Sequence, residues 1–572
     1  MYKHFFWITL LSLITGCSQQ PKDFAQIGVV EGFYGDPWSH EARLDLIRFM
    51  GQVDMNVYYY APKDDPFHRS KWREPYEGEK LNEFRELLEV SKAAGVDLYF
   101  AISPGLDIVY SDSSDFAALQ NKLQNMTELG VKHIALFLDD VPQKLQHERD
   151  KQNYGSLADA HVDLINKLWE GLKEKDIQLV VCPTTYTSAW GSREYLQKLG
   201  SGISEEIPLF WTGEDVAIAE ITADETLEWG NLMNRKPLVW DNFPVNDYEG
   251  WRPILGPLTG RDTELPDVAK GIVANPMDLP YSSMIPLYTV ADYGNDPENY
   301  DPEKSLESAI QFLAGEDAFT YVKSVVDLYS DYGWTDNVFT PIYTPGKDFD
   351  TLKIRNAIKE FETNLEALRT KEFSENMFVS AFVEEMSPFL EKTKNDFEEA
   401  VSHAQSVAKY NISFKVDWGN YNLAFSESGN QINVVLSTSA LEKKSEWILI
   451  LTNDENPTQT WLQPEDLIMR WDLGEAKEPR ADHFQLTPFT QRGISDIQVR
   501  TITSFFEHFT VPAEVNMASN VRSTADSVHY TISIPKRDAD VIRFNSFLNP
   551  DDKMISEKPY LGNPFTYPIL GF

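Results

Sequence analysis

Asp139 and Asp140 close an apolar run, "IALFLDDVPQ" (134–143), that reads as a buried strand leaving the core. Three kinds of chemistry use such a pair. An aspartate caps the segment that follows it by bonding nearby backbone, which accounts for one of the two. A cation site would recruit further carboxylates or histidines at fixed spacing, and the chain carries neither an HExxH nor an EF-hand pattern. Paired carboxylates also cleave glycosidic bonds. Crowded together they do not both ionise freely, so one tends to hold a proton and act as acid while its neighbour stays charged.

Chemistry-bearing residues recur where other apolar runs end: Glu31, Gly32 and Tyr34; Lys63 and Asp64; Tyr186; Asp241, Asn242 and Asp247; Asn275. Carboxylates, amides, tyrosines and a lysine brought to one place describe a site for a polyhydroxylated, hydrogen-bonding ligand. The elements that would gather them are eight strand-like runs at 25–33, 55–62, 97–105, 133–140, 177–186, 207–213, 237–243 and 270–276. Amphipathic helices lie between several of them. The segment from Ser156 places Leu157, Ala160, Leu164 and Leu168 at helical spacing. This alternation predicts an α/β fold, a (β/α)8 TIM-like barrel over residues 24–300, whose catalytic groups sit on the loops after the strands. A doubly wound sheet is the rival, but no GxGxxG turn follows the first strand. The stretch from Gly250 to Pro266 is rich in Gly and Pro, so the barrel should be irregular before its last strand.

With 572 residues the chain is too long for one core. From 301 to 410 the pattern becomes long helices, one with Ile354, Ile358, Phe361, Leu365 and Leu368 on a single face and a second from Ser387 to Tyr410. That region is expected to form a helical bundle. From 411 to 572, alternating segments separated by Pro, Asn and Asp suggest a β-sandwich, which would bind carbohydrate or cap the enzyme.

The quoted motifs occur in a recognisable order. "GVVEGFYGDPW", "YYYAPKDDPFHR", "LFLDDV", "CPTTY", "WTG", "WDNFPVNDY" and "ANPM" resemble glycoside hydrolase family 84, closely over residues 26–277 and more loosely beyond. That family contains protein O-GlcNAcases and bacterial β-N-acetylglucosaminidases, some described as hyaluronidases. The resemblance implies a barrel in which the substrate's own 2-acetamido group is the nucleophile, with no cofactor and no metal. Asp139 would orient the acetamido nitrogen and accept its proton, and Asp140 would protonate the departing oxygen and later activate water. The physical chemistry agrees: closing an oxazoline ring gives the amide N–H positive character, which a fixed carboxylate stabilises more in the transition state than before it. On this reading the charge of Asp139 helps to raise the pKa of Asp140.

The resemblance assigns the remaining positions one at a time. Gly32 would leave room for the sugar, its carbonyl and Lys63 would contact hydroxyls, and Tyr34 would line the acetyl pocket. Tyr186 would bond the acetamido carbonyl. Asp247 would bind the 4- and 6-hydroxyls beside Asn275, with Trp240 and Asn242 closing the pocket. The chain departs from the pattern at Thr185, where glutamate is frequent, and Trp190 follows in a loop that would touch the aglycone; both bear on the natural substrate rather than on the chemistry.

The N-terminus, "MYKHFFWITLLSLITGCSQQ", joins the positive Lys3 to an apolar stretch too short to span a bilayer permanently. Its ending resembles a bacterial lipobox. Residues 1–17 are then a signal peptide, and Cys17 is lipidated as the mature N-terminus. Ser18 resembles outer-membrane sorting, so the expectation is a cell-envelope protein touching membrane through its anchor alone. Cys182 is the other cysteine, so no disulfide framework is expected. The 51 Lys plus Arg face 89 Asp plus Glu, a net charge of −38, which repels phosphate backbones and makes nucleic acid an unexpected partner.

The expected function is thus a retaining exo-β-N-acetylglucosaminidase acting on GlcNAc-terminated glycans or O-GlcNAc-modified protein. Its alternatives are a glycan-binding surface lipoprotein that lost turnover, disfavoured by the intact Asp139, Asp140 and Tyr186, and a hyaluronidase, disfavoured by the net charge.

Overall fold

The computed structural model describes residues 24–248, 252–330, 336–343 and 350–407, and beyond 410 it gives the backbone of strands alone. Cys17 and the expected signal peptide lie outside the described residues. Eight strands form one parallel sheet: β1 (Gln26–Val30), β2 (Val57–Tyr60), β3 (Asp97–Ile102), β4 (His133–Phe137), β5 (Gln178–Cys182), β6 (Phe210–Trp211), β7 (Leu238–Asp241) and β8 (Gly271–Ala274). Their order, β5-β4-β3-β2-β1-β8-β7-β6, runs round a barrel. Closure between β5 and the short β6 runs through the parallel bridge of Val181 with Leu209, the bond from Val181 N to Pro208 O at 3.0 Å and, past the strand ends, Thr212 N to Tyr186 O at 2.8 Å and Ser188 N to Gly213 O at 2.9 Å.

Side chains alternate between the two faces of each strand. Val30, Tyr59, Ala101, Phe137, Val180, Phe210, Trp240 and Val273 fill the interior as one apolar cluster, while Val29, Tyr58, Tyr60, Phe100, Leu136, Leu179 and Ile272 pack outward beneath the helices. Near the N-terminal ends of β1 to β3 the interior is plugged by Tyr59 stacked on Tyr99 at 4.2 Å. Both hydroxyls bond the buried Gln26 side chain, at 2.8 and 2.9 Å. The barrel interior is therefore a packed core, and the polar residues read at the strand ends lie at its C-terminal mouth.

The outer helices follow the sequence pattern. Helix Leu157–Lys173 starts at Ser156, whose hydroxyl accepts the Asp159 N–H at 3.3 Å, and it buries Leu157, Ala160, Leu164 and Leu168. No long helix forms between β7 and β8 among the described residues, where only Leu265–Val268 is helical, as the Gly and Pro content predicts. The layer around the barrel is completed by helix Pro280–Asn295, whose Gly294 lies against Ile27 of β1.

After the barrel come helices Pro302–Asp327, Thr351–Leu368 and Met377–Val407. The second buries Ile354, Ile358, Phe361, Leu365 and Leu368, the face read from the sequence. The third begins ten residues before the expected Ser387. Pro388 sits inside the helix, and Phe378, Val379, Phe382 and Met386 ahead of it are buried, so tertiary packing overrides the missing N–H. This region is tied to the barrel by Glu385, whose carboxylate accepts the Tyr281 and Ser282 N–H groups at the start of helix Pro280–Asn295, at 3.0 and 2.6 Å. Beyond 410, strands form two sheets. One is antiparallel, ordered 518–523, 528–535, 431–438, 419–428 and 411–416; the other is built around Ser445–Thr452, between Leu467–Leu473 and Val541–Leu548. No helix among the described residues is long and apolar enough to cross a membrane.

Candidate active site

Strand geometry explains how two adjacent aspartates come to share one pocket. Continuing β4, Ala135, Phe137 and Asp139 point inward, so a regular strand would send Asp140 out under the helices with Leu138. Asp140 instead has φ +51°, a left-handed conformation that breaks the alternation and brings its carboxylate back over the mouth. There Oδ1 accepts the Tyr186 hydroxyl at 2.7 Å and Oδ2 the Tyr34 hydroxyl at 2.8 Å.

Asp139 is buried and tied to Lys63, which donates to Oδ2. Its other oxygen, Oδ1, is buried and has no hydrogen-bond partner. A buried carboxylate oxygen without a donor is costly, so this oxygen is an acceptor open to a donor that enters the mouth. Lys63 is 3.9 Å from Asp140 Oδ2 and lies within 5.7 to 5.9 Å of the Trp240, Phe137 and Tyr34 rings. The ammonium assigned to sugar hydroxyls is thus first of all the counter-ion of both aspartates.

The remaining predicted residues meet at the same mouth. Gly32 N donates to Asn275 Oδ1 at 3.1 Å, and Asn275 Nδ2 to Asn242 Oδ1 at 2.9 Å. Asn242 also accepts the Trp240 indole N–H at 2.9 Å and donates to Val216 O at 2.6 Å, so its polar atoms hold the wall together. A Cβ at Gly32 would stand 2.4 Å from Trp240 Cζ2, so the glycine makes room for the indole. Asp247, at the exposed rim, accepts the Tyr34 backbone N–H at 2.8 Å. Trp190 meets the Tyr186 ring edge-on at 5.4 Å.

Three carboxylates expected here are employed elsewhere. Glu31 lies on the outward face of β1, where it pairs with Arg43 at 2.7 Å and accepts the Tyr58 hydroxyl. Asp241, on the outward face of β7, pairs with Arg261 at 2.7 Å, both side chains 2% exposed. Asp64 accepts the Gly35 N–H at 2.9 Å and so shapes the loop after β1. Strand parity separates these from the residues that face the pocket: Gly32, Lys63, Asp139, Asn242 and Asn275 all fall on the inward count. Arg69 is the residue that reading missed. It bonds both the Tyr34 hydroxyl and the Asp140 carbonyl, and its only sequence signal was its place in "PFHR" after β2.

The electrostatics reverse one expectation. Burial would raise the titration of Asp140, but the Lys63 charge, the Tyr186 and Tyr34 hydroxyls and the Arg69 charge outweigh it and hold the group below the usual carboxylate range. The charge of Asp139, expected to raise it, is neutralised by Lys63 in the free protein. Burial and the Asp140 charge push both tyrosines well above their ordinary value, so they remain donors. Desolvation by the pocket wall pushes Asp247 up to about 6, against the Tyr34 N–H bond, although water at the open rim screens part of that.

The chain from 27 to 327 matches the family described as beta-N-acetylglucosaminidase. The chain belongs to this family. Solved structures of similar proteins include a mutant of the Thermobaculum terrenum O-GlcNAc hydrolase, 35% identical with a TM-score of 0.58, over 67% of this chain and 85% of that one. Another, CpGH84B, is 30% identical with a TM-score of 0.55, over 68% and 70%. The protein O-GlcNAcases of Rattus norvegicus and Mus musculus are each 35% identical over 271 residues, 46% of this chain. This β-N-acetylglucosaminidase family member matches 29% of the length of either mammalian relative.

Proposed function

We propose that the protein is a retaining exo-β-N-acetylglucosaminidase that hydrolyses terminal β-GlcNAc from glycans or from O-GlcNAc-modified protein, using the substrate's acetamido oxygen as nucleophile. The observation that carries this reading is the vacant, buried Oδ1 of Asp139, an acceptor placed for one N–H donor while Lys63 holds Oδ2. As the oxazoline ring closes, the acetamido nitrogen gains positive character, and the fixed carboxylate stabilises it without reorganisation. Tyr186, now on Asp140, turns to the acetamido carbonyl. Losing that donor relaxes the hold on Asp140, which takes up a proton, delivers it to the departing oxygen and then removes one from the attacking water. Two displacements at the same carbon give net retention. Asp247 at the rim and Asn275 receive the sugar's outer hydroxyls, and Lys63 completes the polar wall.

Incubation with 4-nitrophenyl β-N-acetylglucosaminide tests the proposal. Release of nitrophenol that disappears in Asp139→Ala supports it; binding of GlcNAc without release would leave a lectin. We also propose, from the lipobox-like "LITGC", that Cys17 carries a lipid anchoring the protein in the cell envelope at the outer membrane. Cys17→Ala should then leave the membrane fraction or remain as uncleaved precursor, and a wild-type protein wholly soluble in the periplasm would end that proposal.

A further inference from the structure

Arg69 is half-buried in the loop after β2, and its two terminal nitrogens reach two different elements. Nη1 donates to the Tyr34 hydroxyl at 2.9 Å and Nη2 to the Asp140 backbone carbonyl at 2.9 Å, with the guanidinium 5.5 Å from the centre of the Tyr34 ring. An arginine offers donors and no acceptor, so the direction of the first bond is fixed. The Tyr34 oxygen receives a hydrogen from Arg69, and its own single hydrogen is left for Asp140 Oδ2, 2.8 Å away. The hydroxyl of Tyr186 donates to Oδ1 at 2.7 Å, and among the described residues no arginine or lysine is seen to donate to it, so nothing fixes its direction as Arg69 fixes that of Tyr34.

We propose that Arg69 is a positioning residue for the general acid: by fixing the direction of the chain from Arg69 through Tyr34 to Asp140, it keeps Oδ2 an acceptor and places the catalytic proton on Oδ1. This rests on the glycosidase reading and assigns that reading a further residue. A proton on Oδ2 would meet the Tyr34 hydrogen head-on, and the Tyr34 hydrogen cannot swing toward Arg69, which has nothing to accept it. A proton on Oδ1 meets only Tyr186, the hydroxyl that substrate draws off. The second bond acts on the backbone. Asp140 stands at φ +51°, a left-handed conformation that aspartate tolerates better than most residues with a side chain, and Arg69 bonds its carbonyl there. One guanidinium thus sets both the direction of the carboxyl and the oxygen that bears the proton.

The test compares Arg69→Gln, Tyr34→Phe and the double variant on 4-nitrophenyl β-N-acetylglucosaminide, which needs no proton on departure, and methyl β-N-acetylglucosaminide, which does. Circular dichroism establishes that each variant is folded. Arg69→Gln should lower kcat about 10²-fold on the methyl glycoside, the lower end of what a positioned acid contributes, and less than tenfold on the nitrophenyl one, with KM changed little. Adding Arg69→Gln to Tyr34→Phe should move the ratio between the two substrates less than it does in the wild type, because only the bond to the Asp140 carbonyl is then left to lose. Should Arg69→Gln fail to fold, Arg69→Lys reads the same ratio, since an ammonium keeps the charge without the fork that spans both partners. Equal losses on both substrates would show a merely structural clamp and overturn the proposal. So would a ratio that shifts as far in the Tyr34→Phe background as in the wild type. A wild type that cleaves neither glycoside would instead defeat the glycosidase reading beneath it.

Discussion

Asp139→Asn is nearly isosteric, so its consequence follows from hydrogen-bond direction. The amide has two orientations beside Lys63. With its oxygen toward the ammonium, its NH2 occupies the vacant Oδ1 position and presents a donor to the substrate's own N–H. Flipped, it sets NH2 against the buried ammonium, which is worse. The first orientation removes the charge that steadies the developing oxazolinium, a loss of about 10²–10³ in kcat by comparison with deleting one preorganised transition-state partner. Facing donor to donor adds a buried unsatisfied contact of about 1–3 kcal/mol, part of which already weighs on substrate binding. The expected result is a kcat about 10³-fold below wild type on a series of aryl β-N-acetylglucosaminides. The loss should be the same from good to poor leaving groups, because ring closure and not proton donation has been slowed. A loss under tenfold, or one that grows steadily as the leaving group worsens, would refute the assignment of Asp139.

Asp140→Asn should show the opposite dependence, with most glycosylation retained on activated aryl substrates and most lost on alkyl ones; added azide should restore its second step as a β-glycosyl azide, whose absence by NMR would count against the role. Desolvation pushes Asp247 up to about 6, so the kcat/KM profile should carry a limb near that pH which Asp247→Asn removes; a limb that persists unchanged in the variant would contradict this. Arg261→Met leaves the Asp241 carboxylate buried without its cation. It should cost about 3–5 kcal/mol of stability in a denaturant titration while the folded fraction keeps near-normal kcat, and a catalytic defect without destabilisation would return Asp241 to the site.

Much of the barrel was legible because its strands are apolar runs with turn signals at regular spacing, and the helix from Thr351 showed its buried face as a clean period. The start of helix Met377–Val407 was not legible, since Pro388 reads locally as a boundary and only packing of Phe378 and Phe382 overrules it. At the site, residue types at strand ends located the pocket but did not separate Glu31 and Asp241 from the residues that line it. Counting strand parity from the apolar interior does so, and the information was in the sequence. The left-handed turn at Asp140 was not, because nothing local to "LDDVP" demands it; the donors that hold it come from Tyr34, Arg69 and Tyr186, 46 to 106 positions away. The ionised resting state of Asp140 depends on the same long-range contacts and was misread for the same reason.

The central claim is that the substrate supplies the nucleophile while Asp139 steadies its N–H. Substituting fluorine stepwise into the N-acetyl methyl of an aryl β-N-acetylglucosaminide weakens the carbonyl oxygen as a nucleophile while barely altering size. The account predicts that kcat/KM falls steeply with each fluorine, through the trifluoroacetyl compound. A rate indifferent to that series would mean that a group on the protein attacks the sugar, and would contradict the account.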